Sequence, residues 1–588
     1  MTAAGATALV TLVTTLVLVA WLVRPRGAST VDFYLAGQRV GVATNALAIC
    51  GDYFSAASFL GVAAAVYVSG LDGVWYAVGF AAGFVPVLLF VAAPLRRFGE
   101  FSIPDFLGRR LGSERVRLVS VGVVQVVILS YLIPQSVGSG ITWQLLVGRG
   151  LPGLDPYGTG VLLSTMFVAA LVAFGGMRGT TWTQAVQFLV LLGALVWLAL
   201  AVIGSGFRYP EAVSDLSATP LANPVPGPEG WELRAETDQL DPGTAATFGE
   251  PGAAYGPLAQ FALILTLVMG TAGLPHVMNR YFTSPTGTAA RMTTVWVLGL
   301  AGLFYALAVM LGTAARQKIA DAADDHAWLA ALTTDGVLRV PEHALPVLGR
   351  LYGGDIGLAV IAAGALVAVM STIAGLLLAA AASWGHDVYE RHINPRATQR
   401  QAVWAGRAST AVVALTAAGM AMVMQPDSLA PSVPSIVAAM VTWAFAIAGS
   451  ALTPVFVLAI WWRGTTAAGA VAGMLTGGLA SIGMFVLGVL PVGPGIGEML
   501  MTPTLVAAPL AAAVCALVSR VTRPPSDVDR QWLIMHGTAA DRQAERLAHL
   551  TIHGPGRSRR RQGGTIHGEG TALAERQRRT SRGPQKGD

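Results

Sequence analysis

Apolar runs of about 17 to 20 residues recur along this chain, at Gly5 to Val23, Gly158 to Phe174, Gln184 to Ile203 and Ala408 to Met424. As a helix, each is long enough to cross roughly 30 Å of hydrocarbon. Only 12% of the 588 residues are charged while 54% are hydrophobic, and the mean hydropathy is +0.60. A soluble domain carries about a quarter charged residues, so these runs are membrane spans rather than cores. The 69 glycines and 32 prolines fit the same class, because transmembrane helices tolerate them where neighbours or a water-filled cavity satisfy the freed backbone. Cys50 and Cys515 lie in different apolar segments, which excludes a disulfide framework and a cysteine-based zinc site.

The hydropathic segments fall at 5–23, 44–69, 73–95, 117–147, 156–175, 182–205, 256–279, 292–314, 355–385, 408–424, 433–461, 466–490 and 502–519. They predict an all-α polytopic membrane protein with about 13 transmembrane helices. The first segment has no basic residues before it and is followed by Arg24 and Arg26, so it reads as a retained helix rather than a signal peptide. An external N-terminus and a cytoplasmic C-terminus put Arg96, Arg97, Arg109, Arg110, Arg115, Arg117, Arg178, Arg280, Arg291, Arg391, Arg396, Arg400, Arg407 and Arg463 on the cytoplasmic side. That is the orientation the positive-inside rule favours. On this reading Arg178 and Arg280 are anchors at cytoplasmic helix ends.

Two polar stretches interrupt the pattern. Residues 206–255 are rich in Pro, Gly and acids and are expected to form a long external loop. Residues 521–588 are basic and nearly free of aromatics, and are expected to be a mostly disordered cytoplasmic tail. The run Arg557 to Arg561 reads as attraction to anionic lipid rather than a specific nucleic-acid site.

The external loop separates two groups of five helices, 44–205 and 256–461, flanked by an extra helix within 1–43 and two more within 462–520. An odd number of spans per group inverts the second, which is the arithmetic of an inverted repeat. In such folds the first helix of each repeat is broken near the midplane. The stretches Ile49-Cys-Gly-Asp-Tyr-Phe-Ser-Ala-Ala-Ser-Phe-Leu-Gly61 and Met269-Gly-Thr-Ala-Gly-Leu-Pro-His-Val-Met-Asn-Arg-Tyr281 carry the expected interruptions. Gly270, Gly273 and Pro275 remove a side chain or a donor where unwinding frees carbonyls for a cation and N–H groups for an anion.

Asp32-Phe-Tyr-Leu-Ala-Gly-Gln, Asn45 to Gly61, Ser69-Gly-Leu-Asp-Gly73, Gly175-Gly-Met-Arg-Gly-Thr-Thr-Trp-Thr-Gln184, Gly270-Thr-Ala-Gly-Leu-Pro-His276 with Arg280-Tyr-Phe-Thr283, and His386-Asp-Val-Tyr389 resemble the solute:sodium symporter family. The likeness is strongest to its cation/acetate symporter branch and covers about residues 30–520. It implies a LeuT-type 5+5 inverted-repeat core with extra flanking helices, alternating access, and uptake of acetate or a related short-chain monocarboxylate with a cation. Proline, pantothenate or pyruvate as solute, or protons as coupling ion, are the alternatives within the same family.

The resemblance places Ser371 and Thr372 on the hydroxyl pair of the family's sodium site, with carbonyls from Ala368, Gly51 and Phe54. Acetate-branch sequences often carry aliphatic residues at this pair, so its hydroxyls favour sodium over protons. The bland alternative is that both hydroxyls bond the carbonyl one turn back, as is common in membrane helices. By fold analogy the carboxylate would sit at the N-terminal turn of the outer half-helix, Ser55, Ala56, Ala57 and Ser58, opposite Thr271, Gly273 and His276. Asp52, beside the break, is a coupling residue or a carboxylate satisfied by helix-end N–H groups, and Tyr53 is a gate. His276 is equally a packing histidine, and Asp387 reads as structural. No HExxH pair, GxSxG elbow or nucleotide loop is present, so the chain reads as a transporter without cofactor other than its coupling ion, and not as an enzyme.

Overall fold

The computed structural model describes residues 29–99, 101–227, 230–235, 246–254, 256–424, 436–488 and 502–538, together with Val17 and Leu500. Apart from Val17, the expected helix at 5–23 lies outside the described residues, as does the tail from 539 onward with its Arg557 to Arg561 run; the tail expected to be mostly disordered from 521 has a helix at Val528–His536 in its described part. The chain divides after Val528 into two units. The first holds all the membrane helices described below.

Among the described residues nine helical stretches are long and apolar enough to cross a bilayer, or ten if the bent pair Pro257–Gly273 and Pro275–Phe282 is one span. That number does not confirm the expected count of about 13, and in two places segments expected as separate spans are counted together. The segments expected at 44–69 and 73–95 are joined by a tight 3-10 turn at Gly70–Gly73, where the chain folds back until a Cβ on Gly73 would lie 2.4 Å from the Ala65 backbone, so the stretch Ala57–Phe98 holds two helices. Those expected at 156–175 and 182–205 run together as Pro156–Gly204, with a kink at Gly176 (φ 56°, ψ −164°) instead of a loop. Glycine is required at that kink, because a Cβ would lie 2.8 Å from the Phe33 ring in addition to the positive φ. A second such kink, Gly354 (φ 56°, ψ −146°), divides the Ala344–Ala382 helix where the segment expected from 355 begins.

The short helix Thr30–Leu35 explains its own sequence. Ser29 caps it through the Asp32 N–H, Phe33 fills the space beside Gly176, and the Tyr34 hydroxyl donates to the Ala402 carbonyl at 3.0 Å. Gly385 and Gly406 have no side chains where the Tyr34 hydroxyl inserts. The aromatic pair thereby joins three helices close to their ends.

The described residues between 206 and 255 are more ordered than a loop. They contain the helix Tyr209–Leu216 and an antiparallel hairpin of Ala222–Gly227 with Gly230–Ala235, in which Ala222 pairs with Ala235. Leu216, Leu221 and Phe248 form a small apolar cluster with Val66 of the helix Val62–Ser69. The Phe248 carbonyl accepts the Leu71 N–H at 3.1 Å, and Gly70 takes φ +57° with the Phe248 backbone in the space of a Cβ. Asp72 fastens the end of the segment, accepting from the Gly252 and Ala254 N–H groups and from Gln260 Nε2, each at 2.9 Å. A second hairpin, Thr333–Thr334 with Val337–Leu338, follows the Gly287–Ala322 helix and donates its Leu338 N–H to the Tyr67 hydroxyl at 3.0 Å.

Asp72 is thus the clamp of this cap, and hydrogen bonds to a charged acceptor contribute about 1.5–3 kcal/mol each without adding simply. Asp72→Ala is expected to lower the melting temperature in detergent by several degrees and to open residues 206–255 to limited proteolysis. Unchanged melting and cleavage would mean that the cap is held elsewhere.

Candidate functional site

The first broken helix is built by its own backbone. Val42–Tyr53 ends when Phe54 takes ψ 81°, with the Phe54 N–H donating to the Cys50 carbonyl and the Ser55 N–H to the Tyr53 carbonyl. Helix resumes at Ala56 and passes through a wide π-turn, Ala57–Gly61, into Val62–Ser69. A helix that stops and restarts inside a bundle exposes carbonyls at one end and N–H groups at the other.

The second break lies between Pro257–Gly273 and Pro275–Phe282, which are bent by 42°. Leu274 is extended (φ −70°, ψ 116°), as the residue before a proline prefers, and Pro275 starts the new helix with no N–H to satisfy. Gly273 lies against the Ala448 carbonyl, where a Cβ would be 2.6 Å from Thr453 Oγ1. Its face therefore packs against the π-turn Ala448–Leu452 and its successor helix.

The two breaks are tied together by charge. Arg280 Nε lies 3.4 Å from Asp52 Oδ2, and both side chains are buried. Arg280 also donates to Thr181 Oγ1 at 2.7 Å and Met177 Sδ at 3.2 Å, and contacts Gln184 Oε1. Its carbonyl accepts from Asn45 Nδ2 at 3.1 Å. The expectation that Arg280 anchors a cytoplasmic helix end is corrected: it is 1% exposed, because an acidic partner on another helix removes the need to reach water. Arg178 is exposed, as an anchor would be. Asp52 fits only because Gly375 faces it, since a Cβ there would overlap the carboxylate. The neighbouring Tyr53 hydroxyl bonds Thr271 Oγ1 at 2.8 Å and the Phe80 carbonyl at 2.9 Å.

Ser371 and Thr372 lie on the helix that faces the first break. Thr372 donates across to the Asp52 carbonyl at 2.7 Å, and the Ser371 hydroxyl, 1% exposed, has no hydrogen-bond partner. Several other buried helix hydroxyls do what was expected of the bland alternative, Ser136, Thr142, Thr180, Thr181 and Thr294 all donating to the carbonyl four residues back, while Thr266, Thr293, Ser450 and Ser481 lack a partner as Ser371 does. Thr372 departs from both habits by donating to another helix. A Cβ on Gly51 would lie 3.2 Å from Ser371 Oγ, so the orphaned hydroxyl is aimed at the C-terminal turn of the first half-helix. Ala368, one turn before Thr372, is fully buried, and the Phe54 ring stacks on Phe304 at 4.3 Å, which leaves only its backbone for the break.

The expected substrate residues separate into two groups. Ser58 Oγ is engaged by the Tyr305 hydroxyl at 2.8 Å, and Thr271 by Tyr53 and the Leu267 carbonyl. The Ala56 N–H, expected to be open, donates to Gln135 Oε1 at 3.1 Å. Ala57 is buried in the π-turn. Ser55 Oγ, Gln135 Nε2 and both ring nitrogens of His276 remain buried without partners, and the Tyr131 ring meets His276 at 5.3 Å. Tyr131 and Gln135 were missed. They lie one turn apart on the apolar helix Glu114–Leu146, and the only signal for them was a glutamine within a hydrophobic run.

The sodium:solute symporter family model matches residues 33–477. Over 469 residues the chain is 31% identical to the uncharacterized symporter YwcA of Bacillus subtilis, covering 79% of this chain and 82% of that one. It is 32% identical over 460 residues to the monocarboxylic acid transporter of Corynebacterium glutamicum, covering 77% of each. Among solved structures it resembles a sodium-coupled sialic acid symporter in a substrate-bound outward-open state, with a TM-score of 0.64, 14% identity and coverage of 89% of this chain and 99% of that one. That likeness establishes the LeuT-type fold that the two broken helices already suggested. A multi-pass membrane protein with this family match along most of its length, the chain belongs to the sodium:solute symporter family.

Proposed function

We propose that this symporter carries acetate or a related short-chain monocarboxylate together with sodium, by alternating access of the two repeats 44–205 and 256–461, with its N-terminus outside and its C-terminus in the cytoplasm. The observation that carries the cation half is the behaviour of Ser371 and Thr372: one hydroxyl unpartnered and buried, the other turned from its own helix to a carbonyl of the break. Sodium would take these oxygens with carbonyls of Gly51, Phe54 and Ala368, and the Thr372 hydroxyl would rotate its lone pair toward the ion.

The anion half rests on the small, partnerless groups at the restart of the helix. Ser55, Gln135 and His276 offer donors beside a helix N-terminus, a setting that holds a carboxylate without dedicating an arginine to it. Arg280 is already committed to Asp52. The rings of Tyr53 and Tyr131 each meet Phe445, at 6.1 and 5.6 Å, and this aromatic group suits a short alkyl chain. The relative named as a monocarboxylic acid transporter supports the same substrate class.

Purified protein in proteoliposomes is expected to accumulate labelled acetate when an inward sodium gradient is imposed, with propionate and pyruvate competing and proline not. Accumulation driven equally by a proton gradient in sodium-free buffer would replace the coupling ion, and competition by proline alone would replace the substrate class.

Ser371→Ala with Thr372→Ala removes two ligands from an otherwise apolar helix that still inserts. At about 1.5–3 kcal/mol for each contact to a cation, apparent sodium affinity should fall by roughly tenfold or more. Half-saturation by acetate at limiting sodium should rise with it, since the two affinities are reciprocally linked. Wild-type sodium dependence in the double variant would remove the hydroxyls from the cation site.

A further inference from the structure

A second cluster of ionisable side chains lies outside this machinery. Asp105, His386 and Asp387 are buried at 0%, 3% and 0% exposure, and each offers a donor atom within 4.8 Å of the other two. His386 and Asp387 sit in the wide π-turn Ser383–Ile393, about 20 Å along the same helix from Ser371 at 1.5 Å per residue. Asp105 sits in the first turn of the short helix Ile103–Arg110, whose cap Ser102 donates to Asp387 Oδ2 at 2.6 Å.

The remaining atoms are the informative ones. His386 Nδ1 bonds Glu390 Oε2 at 2.9 Å, and its Nε2 has no partner. Asp105 Oδ2 and Asp387 Oδ1 are likewise buried without a hydrogen bond. A histidine that gives its Nδ1 proton to a carboxylate keeps a lone pair on Nε2, and that pairing is the usual orienting arrangement behind a metal-bound imidazole. The charges point the same way. Asp105, Asp387 and Glu390 bring three carboxylates, whereas the nearest buried cation, Arg117, reaches Asp105 Oδ1 at 3.3 Å and Asp387 Oδ1 only at 4.0 Å, and shares itself with Glu114 at 2.8 Å. Arg391 adjoins Glu390 on the chain.

We propose that Asp105, His386 and Asp387 form a binding site for a divalent first-row transition ion of the zinc type, with Glu390 orienting the histidine. One imidazole nitrogen and two carboxylate oxygens suit zinc or cobalt better than calcium or magnesium, which take oxygen ligands in larger number. Such an ion would staple the Ile103–Arg110 helix to the end of the helix that carries Ser371 and Thr372, and so restrain a segment continuous with the transport site.

The test uses the full-length, tag-free protein in detergent after metal stripping. Zn2+ titrated by calorimetry is expected to bind at one site per chain that is lost in Asp105→Asn and in His386→Gln, and Co2+ is expected to give visible ligand-field bands that disappear in the same variants. Glu390→Gln should weaken binding by about 10–100-fold, as loss of an orienting carboxylate does. Zn2+ should raise the melting temperature of the native protein and not of the two ligand variants, each first checked for a monodisperse, folded profile. Absence of Zn2+ binding to the native protein, as when His386 is instead an imidazolium between the carboxylates, would overturn the proposal. So would binding that both ligand variants retain.

Discussion

A guanidinium and a carboxylate buried together between two interrupted helices set the terms for the rest of this structure. Asp52 lies at the end of the first half-helix and Arg280 in the half-helix after the second break, with 3.4 Å between Nε and Oδ2. Neither charge is tolerable alone at such depth, since an unpaired ionised group in the membrane interior costs several kcal/mol. The surroundings are shaped accordingly: Thr181 and Gln184 complete the hydrogen bonding of the guanidinium, and Gly375 vacates the volume that the carboxylate needs. A third helix is thereby drawn against the break, and the residues four and three positions before Gly375 are Ser371 and Thr372. The ion pair and the proposed cation site share one helix face, so the pair positions both.

Charge neutralised between protein groups also leaves the proposed anion site free of fixed charge. With Arg280 held by Asp52, a carboxylate bound at the first break as proposed would meet dipoles and neutral donors, Ser55, Gln135 and His276, rather than a permanent cation. Weak, dipolar holding suits a carrier that must release its solute as readily as it takes it. The Tyr53 to Thr271 hydrogen bond joins the same two broken helices, giving the crossing a second, uncharged contact that can part without exposing a charge.

Much of this was legible in the sequence, for identifiable reasons. Pro275 marks where the second helix cannot continue, so Leu274 stands at its break, and Phe54 stands at a break within the other stretch expected to carry one although no glycine or proline lies beside it. The hydroxyl pair was placed by the family resemblance, within an otherwise apolar span. Arg280 was misread because rules that place arginines at membrane surfaces treat each charge singly, and its partner is 228 residues away in sequence. Gln135 and Tyr131 left almost no trace, since their helix is apolar on most faces and only the fold brings them to the break. The cap formed by residues 206–255 hid in the same way: its anchor, Asp72, lies 180 residues before Gly252, and a composition rich in proline and glycine concealed the docking.

The account stands or falls on whether the two broken helices are locked through their buried charges. A double-mutant cycle measures this most directly, with Asp52→Asn, Arg280→Gln and the two combined, each purified in detergent and melted under the same conditions. Removing one partner leaves an uncompensated buried charge, at a cost of about 3–5 kcal/mol, whereas removing both leaves neutral amides in its place. The double variant is therefore expected to melt above either single variant, a departure from additivity that two contacting residues show. If the two substitutions instead lower the melting temperature independently and their effects simply add, the pair does not join the breaks and the arrangement of the site rests on something else.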